Sequence, residues 1–353
     1  MTRIAVIPGD GTGPEVVAEA LKVLEAAAGR FDLELEFTHY ELGGERYLRT
    51  GEVLPEAVLD ELRLADAVLF GAIGHPDVKP GVLERGIILR LRHELGQYLN
   101  LRPIKLHPGV TSPLRDVRPE DVDMVVVREN TEGLYTGGGG FAHYGTPQEV
   151  ATELSVNTRF AIERCVRFAF DLAAGRPRRT ITLCGKSNVL VHGHDLWDRV
   201  FREVAAEYPG VTAGYANVDA LCLWMVESPQ RYDVIVTDNM FGDIVTDLGA
   251  AIQGGLGIAA GANLNPEGVS MFEPIGGTAP DFVGTGTINP LAAIGAAGLL
   301  LTHTGEPEAG AAVEAAVARV AGRLPSLRAG EMGAATAEVG GMVAAAVAGG
   351  GAG

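Results

Sequence analysis

The sequence predicts an α/β fold in which a largely parallel sheet carries helices on both faces. Strand-like and helix-like segments alternate along the chain, which is typical of parallel strands joined by crossover helices. Aromatic residues make up only 6% of the chain while glycine, alanine, valine and leucine are abundant, so helices can pack closely on a sheet. A length of 353 residues exceeds one ordinary domain, and two domains are therefore expected.

Hydrophobic periodicity predicts each element in turn. The chain begins with a buried strand at residues 4–7, followed by a glycine turn and a helix from Pro14 to about Ala28, with the proline in the first turn. Apolar runs and alternating patterns predict further strands at residues 33–40, 67–70, 122–127, 180–184 and 234–237. Helical spacing of apolar residues predicts helices at 55–64, 160–174 and 196–207.

The pattern changes between residues 131 and 158, where glycines cluster at 137–140. We predict an arm or hairpin near 134–158 that projects from the body, with a long surface loop as the alternative. The Ala/Gly-rich tail after about Gly340 is expected to be frayed.

Charge and composition limit the partners. The net charge of −17 and the lack of a basic stripe argue against a nucleic-acid partner. The apolar run 291–301 is too short to span a bilayer, and a strand starting near the N-terminus leaves no room for a signal peptide. Without a CxxC pair, Cys165, Cys184 and Cys222 favour a reducing cytoplasm.

The first glycine cluster, residues 9–13, lies between a strand and a helix. It resembles a dinucleotide fingerprint but fails it, since the third glycine comes one residue early. It is either a tight turn or a place where a ligand uses the backbone N–H groups at the helix start.

Two acids suit a metal site. Asp243 and Asp247 are spaced i, i+4, so both carboxylates lie on one face of a helix. Hard oxygen ligands of this kind suit Mg²⁺ or Mn²⁺, and capping or surface acids are the alternative.

Three arginines could hold a small dicarboxylate. Arg128 ends a buried strand, where α/β proteins bind ligands, and Arg92 and Arg102 lie upstream of it. Planar guanidinium groups hold carboxylates bidentately, although each arginine could instead make a surface ion pair. Tyr135 and Lys186 are the candidate acid and base, since a lysine beside a cation has its charged form disfavoured.

Together these segments resemble the β-decarboxylating dehydrogenase family, which includes 3-isopropylmalate, isocitrate, homoisocitrate and tartrate dehydrogenases. The resemblance runs from Ile7 to about Leu301. The matching segments are residues 7–11, 100–103, 127–133, 238–243, 271–274, 278–280 and 288–290.

The resemblance implies a homodimer whose active sites are shared between subunits. It also implies a cofactor-binding domain of residues 1–99 plus 252–353, without a Rossmann fold. The central substrate and dimerisation domain would take residues 100–251.

Residue roles follow from the same resemblance. Arg92, Arg102 and Arg128 match the clamp for the substrate carboxylates. Tyr135 matches the acid that protonates carbon, and Lys186 matches the base, supplied by the neighbouring subunit. The matching metal ligands are Asp243 and Asp247, with Asp219 from the other chain.

The loop at residues 277–282 resembles the adenosine-binding loop of the family. A carboxylate at Asp281 would accept hydrogen bonds from a ribose diol and repel a 2′-phosphate, so NAD is expected; turn capping is the alternative. Gly276 stands where the family usually has histidine. The implied cofactor-binding residues are Ile73, Gly277, Thr278, Ala279, Asp281, Phe282 and Asn289.

The substrate is predicted from Ile88 and Leu89, an apolar pair that favours an apolar 3-substituent. The resemblance therefore implies oxidative decarboxylation of 3-isopropylmalate to 2-oxoisocaproate in leucine biosynthesis. Arg85 lies about one turn away, which keeps isocitrate, homoisocitrate, tartrate and a phosphonate analogue open. A non-catalytic regulatory subunit is the alternative of another class, and it is disfavoured because every candidate catalytic residue is present.

Overall fold

The computed structural model describes residues 1–349 of the chain. The strands are β1 (Thr2–Gly9), β2 (Leu35–His39), β3 (Ala67–Ala72), β4 (Leu99–Lys105), β5 (Asp123–Glu129), β6 (Gly139–Ala142), β7 (Val150–Glu153), β8 (Thr180–Gly185), β9 (Thr212–Asn217), β10 (Val234–Thr237), β11 (Ala260–Leu264) and β12 (Ser270–Pro274). The α-helices are α1 (Gly13–Phe31), α2 (Gly44–Thr50), α3 (Glu56–Leu62), α4 (Arg90–Glu94), α5 (Arg159–Gly175), α6 (Gly193–Ala205), α7 (Val218–Glu227), α8 (Asn239–Ile252), α9 (Leu291–His303), α10 (Pro307–Ala321) and α11 (Thr336–Ala348). A π-helix spans Glu84–Leu89 directly before α4.

The chain folds as two compact units. The first takes residues 1–97, 105–119 and those from 250 onward, and the second takes residues 98–104 and 120–249. The sequence predicts that residues 105–119 belong to the central domain, whereas in the structure they belong to the first unit. Hydrogen bonds attach this segment to the first unit. The Lys105 N–H donates to Gln253 Oε1 at 2.9 Å, and Ser112 Oγ donates to the Ile252 carbonyl at 2.7 Å.

The first unit is built on strands in the order β2-β1-β3-β12-β11. All neighbours are parallel except β11 and β12, which are antiparallel. Every residue of β3 is buried, as expected for a parallel strand covered on both faces. Helix α1 packs against α9 and α11, and α9 packs against α10. Strand β1 lies next to the edge, unlike the central first strand of a Rossmann fold.

The second unit has the strand order β4-β5-β10-β8-β9, with β5, β10, β8 and β9 parallel. Helix α5 packs against α6 and covers β5 and β10. Strands β6 and β7 form a separate antiparallel hairpin in which Gly139 pairs with Glu153, and every residue of both strands is exposed.

The predicted α/β class and its mostly parallel sheet are therefore confirmed. The expected fraying after Gly340 is wrong as far as Ala348, because α11 buries Val343 and Val347; residues 350–353 lie outside the described part. Within the described part, every helix is too short or too polar to cross a membrane. The apolar run 291–301 is instead α9, a helix buried over most of its surface.

Candidate active site

Arg128, Tyr135 and Asp243 form one hydrogen-bonded cluster in the second unit. Arg128 Nη1 donates to Asp243 Oδ1 at 2.5 Å, and the Tyr135 hydroxyl donates to Oδ2 at 2.8 Å. The Arg128 guanidinium carbon lies 5.3 Å from the centre of the Tyr135 ring. Sequence reasoning named all three residues, and the structure brings them together.

Strand pairing explains how distant residues meet here. Arg128 on β5 lies opposite Thr237 on β10, so the residues that follow β10 and begin α8 come up beside Arg128. This is the carboxyl edge of parallel strands, where α/β proteins place their ligand sites.

Asn239 and Gly242, to which the sequence assigned no role of their own, determine how Arg128 is placed. Asn239 Oδ1 accepts from Arg128 Nε at 3.0 Å and from Nη2 at 2.8 Å, and Asn239 Nδ2 donates to the Glu132 carbonyl. A Cβ at Gly242 would lie 2.4 Å from Arg128 Cγ, so only glycine leaves room for the arginine. The available signal was their position in the 238–243 segment beside Asp243.

Electrostatics keep Asp243 charged and Tyr135 protonated at neutral pH. Burial raises the pKa of the Asp243 carboxyl, but the Arg128 charge, the Tyr135 hydrogen bond and the Arg102 charge together bring it below its ordinary value. Burial also raises the pKa of the Tyr135 phenol, and the hydrogen bond to Asp243 raises it further. The phenol is therefore available as a proton donor.

Arg102 is placed by β4 in the same unit. It is 8% exposed, and its Nε donates to Asn100 Oδ1 at 2.7 Å. Its positive charge contributes, as the smallest of the causes, to the lowered pKa of the Asp243 carboxyl.

The Lys186 and Asp219 side chains pair with each other. Lys186 directly follows β8, Asp219 lies in the first turn of α7, and Nζ is 2.6 Å from Oδ1. The Lys186 hydrogen bond lowers the pKa of the Asp219 carboxyl below its ordinary value.

The three predicted metal ligands are not gathered within one chain. Among the described residues, no group of three His, Cys, Asp or Glu side chains is arranged to hold a metal. Asp243 and Asp247 do share α8, and Asp247 is exposed. Asp243 already faces a cation, the Arg128 guanidinium, and its carboxylate is a hard oxygen donor. Within one chain, Asp243 and Asp247 supply carboxylate oxygens of the kind that divalent cations prefer, and any further ligands would have to come from substrate, water or a second chain.

Arg92, Ile88 and Leu89 lie in the first unit. Ile88 and Leu89 are on the π-helix and half-buried, Arg85 on the same helix is exposed, and Arg92 follows on α4. Arg92 is 8% exposed, and its Nη2 lies 3.5 Å from Glu273 Oε1 on β12.

Glu273 is another residue that sequence reasoning did not assign a role. Its Oε1 also accepts from Asn263 Nδ2 at 2.8 Å, so the carboxylate is fixed between strand β11 and Arg92. The available signal was that Glu273 is the one charged residue of the buried strand β12.

A cavity of about 1130 Å³ in the first unit gathers part of the predicted cofactor set. Its walls also include Thr12 and Gly13 from the first glycine cluster. The predicted residues that line it are Gly277, Ala279, Phe282 and Asn289.

The other three predicted cofactor residues are placed differently. Ile73 packs in the buried core, and Asp281 is exposed. The Thr278 carbonyl accepts from the Thr12 N–H at 2.9 Å and from its hydroxyl at 3.2 Å. A Cβ at Gly11 would lie 2.3 Å from that carbonyl, which explains a glycine there.

Asn289 also has a structural role, since its amide donates to the Leu327 carbonyl at 2.9 Å and its oxygen accepts from Leu291 N–H at 3.0 Å. At Gly276 the position of a Cβ is open, with the nearest side-chain atom 3.8 Å away on Leu256. The backbone at Gly276 therefore leaves room for a Cβ atom.

Comparison with protein families identifies the chain as a dehydrogenase. Residues 3–342 match the family described as isocitrate/isopropylmalate dehydrogenase, and the chain belongs to that family.

Comparison with individual proteins narrows the relationship. The chain is 57% identical over 318 residues to 3-isopropylmalate dehydrogenase of Thermobifida fusca, covering 90% of each chain. It is 53% identical over 347 residues to 3-isopropylmalate dehydrogenase of Nocardia farcinica, covering 98% of this chain and all of that one. The crystal structure of isocitrate dehydrogenase from Methylococcus capsulatus superposes with a TM-score of 0.88 at 35% identity, over 99% of this chain and 100% of that one.

Proposed function

We propose that the protein catalyses the NAD- and divalent-metal-dependent oxidative decarboxylation of 3-isopropylmalate to 2-oxoisocaproate, a step of leucine biosynthesis. The observation that carries the chemistry is the convergence of Arg128, Tyr135 and Asp243. The names of the similar proteins favour this substrate over others of the family.

The half-buried apolar pair Ile88 and Leu89 supports an apolar 3-substituent. A pocket wall of this kind distinguishes related substituents by about 1–3 kcal/mol, so the preference is a matter of degree. Arg85 is exposed on the same π-helix, and for this reason a paralogue that takes an acidic 3-substituent is the second candidate.

In this reaction the arginines would bind the substrate, and Lys186 and Tyr135 would transfer protons. Arg92, Arg102 and Arg128 would bind the substrate carboxylates, each through a guanidinium group already fixed by neighbours. Lys186 would accept the proton of the 2-hydroxyl, directly or through water. Once CO₂ has left, Tyr135 would donate its phenolic proton to the carbon atom from which CO₂ was lost. The raised pKa of the Tyr135 phenol keeps this proton on the oxygen before that step.

Asp243 and Asp247, with Asp219 from a second chain, would hold Mg²⁺ or Mn²⁺. Such a cation supplies Lewis-acid polarisation of the substrate oxygen and NAD supplies the hydride acceptor. The lowered pKa of Asp243 supports this role, since a metal ligand must be deprotonated.

We further propose a homodimer in which the second copy supplies Lys186 and Asp219. In each chain these two pair with each other, whereas Asp243 pairs with Arg128 and Tyr135. The second unit also exposes large apolar side chains, which are typical of a surface that is covered by a partner. Those on the hairpin and after β8 are Phe141, Tyr144, Val150, Val189, Leu190 and Val191.

The direct test is the rate of NADH formation by the purified protein with Mg²⁺ and NAD. The substrates are 3-isopropylmalate, isocitrate, homoisocitrate, tartrate and malate, assayed side by side, and we expect kcat/KM for 3-isopropylmalate to be far above the rest. Preference for an acidic analogue would contradict the substrate assignment and transfer it to the second candidate. Omission of Mg²⁺ and Mn²⁺ in the presence of a chelator is expected to abolish turnover.

A further inference from the structure

His194 and Asp238 form a buried pair beneath the candidate base. Both are almost inaccessible, at 5% and 8% exposure, and His194 Nε2 lies 2.9 Å from Asp238 Oδ2. On the other side of the ring, the backbone N–H of Lys186 donates to His194 Nδ1 at 3.1 Å. An amide N–H can only donate, so Nδ1 is the acceptor and the ring proton is on Nε2, where Asp238 receives it.

The turn that carries Lys186 is held on both sides. The N–H of Ser187 donates to the Tyr215 hydroxyl at 2.9 Å, next to the bond between Lys186 and His194. Gly185 separates the two rings, and a Cβ there would lie 3.0 Å from His194 Nδ1 and 3.2 Å from the Tyr215 hydroxyl. The close approach of both rings to the backbone therefore depends on glycine at this position.

Asp238 connects this turn to α8. Its Oδ1 accepts from the Phe241 N–H at 2.7 Å, at the start of the helix that carries Asp243. Lys186 is thus fixed at two points, its backbone by His194 and its ammonium group by Asp219.

We propose that His194 is a positioning residue for Lys186, with its tautomer set by Asp238 so that Nδ1 always accepts the Lys186 N–H. His194 itself is buried and acts through the lysine. The proposal rests on the proposed function in one respect, that Lys186 is the base.

Two substitutions of His194 each keep one of the two hydrogen bonds that its imidazole ring makes. The amide oxygen of His194→Asn stands near Nδ1 and keeps an acceptor for Lys186, whereas the amide nitrogen of His194→Gln stands near Nε2 and keeps only the donor to Asp238. A displacement of ~1 Å in a catalytic group can cost ~100-fold in rate, so we expect kcat to fall roughly 10- to 100-fold in His194→Gln and His194→Ala. In His194→Asn we expect kcat within about threefold of wild type, and KM within about twofold in all three.

The control is His303→Asn, which replaces an exposed histidine at the end of α9 whose Nε2 lies 3.0 Å from Ser270 Oγ. It is expected to change thermal stability without changing kcat. Amide hydrogen exchange of the peptide that contains Lys186, followed by mass spectrometry, gives a readout that needs no turnover. Exchange should be faster than wild type in His194→Gln and His194→Ala, and near wild type in His194→Asn and His303→Asn.

The two failures are distinguishable. If the wild type turns over none of the family substrates, the proposed function is wrong, and exchange alone still tests the positioning role. If kcat and exchange in His194→Asn are as impaired as in His194→Gln, or if neither variant is impaired, the acceptor at Nδ1 has no positioning role and the inference is overturned.

Discussion

Arg128 shows how a single buried residue organises the candidate site. At 2% exposure its guanidinium would be costly to bury without partners, since one uncompensated buried charge costs several kcal/mol. Asn239 and Asp243 accept hydrogen bonds from three of the N–H groups of Arg128, and the guanidinium lies over the ring of Tyr135. The same contacts that stabilise the arginine also keep Asp243 ionised.

Much of this cluster could be predicted from the sequence, and part of it could not. The end of a buried strand marked Arg128, the i, i+4 spacing with Asp247 marked Asp243, and the family resemblance gave Tyr135 its role as the acid. Asn239 is separated from Arg128 by 111 positions, and the contact depends on β10 lying beside β5, which periodicity alone does not reveal.

Gly242→Ala tests the packing around Arg128. Alanine is better than glycine in a helix interior by ~0.5–1 kcal/mol, so without a clash this change in α8 would stabilise the protein. With a Cβ 2.4 Å from Arg128 Cγ, we expect instead a loss of ~1–3 kcal/mol in the free energy of unfolding and a clear fall in kcat/KM. Urea unfolding and steady-state kinetics measure the two effects.

The matched control is Gly341→Ala in α11, where a Cβ would meet no atom within 4 Å. That variant should be as stable as wild type or more so. Equal gains in both variants would contradict the crowding at Gly242.

At the scale of elements, the π-helix at Glu84–Leu89 was not predictable from the sequence pattern. Its extra residue per turn is invisible to an analysis of helical periodicity, yet it sets the direction of Ile88 and Leu89 relative to Arg92 on α4. π-Helical turns are frequent at functional sites, in agreement with the proposed substrate contacts of this segment.

The edge strand β9 was not predicted from the sequence for another reason, since its residues are mostly exposed and lack an apolar pattern.

The loop with the 3₁₀ turn Pro280–Phe282 carries the prediction about cofactor choice. Phe282 lines the cavity of the first unit, and Asp281 beside it is exposed, within reach of solvent rather than in the cavity wall. Replacing Asp281 by Lys and Phe282 by Tyr removes a charge that repels a 2′-phosphate and adds one that attracts it. Hydrogen bonds to charged groups contribute ~1.5–3 kcal/mol, so the ratio of kcat/KM for NADP to that for NAD should rise at least about 10-fold.

The single change Asp281→Asn serves as the control, because it removes the repulsion without adding a cation. It should give a smaller rise in the same ratio. Unchanged preference in the double variant would make Asp281 a turn residue with no part in cofactor selection.

At the scale of the whole molecule, the candidate catalytic residues of the second unit form two clusters that differ in their exposure to solvent. Arg128, Tyr135 and Asp243 are joined around a half-buried carboxylate, while Lys186 and Asp219 pair at the surface. Length and element alternation predicted the α/β class, but no sequence pattern shows which cluster of one chain faces which cluster of another. The exposed apolar side chains of the second unit support the proposed second copy, which the family resemblance also implies.

Subunit mixing tests whether two chains complete one active site. Tyr135→Phe and Lys186→Met are each expected to lose most activity as pure proteins, since each removes one proton carrier. In a dimer that contains one chain of each kind, one site receives both defects and the other receives neither. Mixed in equal amounts and allowed to exchange subunits, the two inactive proteins should recover about a quarter of wild-type activity, because half the dimers are mixed and half their sites are intact. Mass spectrometry of the intact assemblies confirms the exchange independently of activity. If mixed dimers form and no activity returns, each chain uses its own Lys186 and the shared-site proposal is wrong; if the protein remains a monomer at every concentration, the dimer itself is excluded.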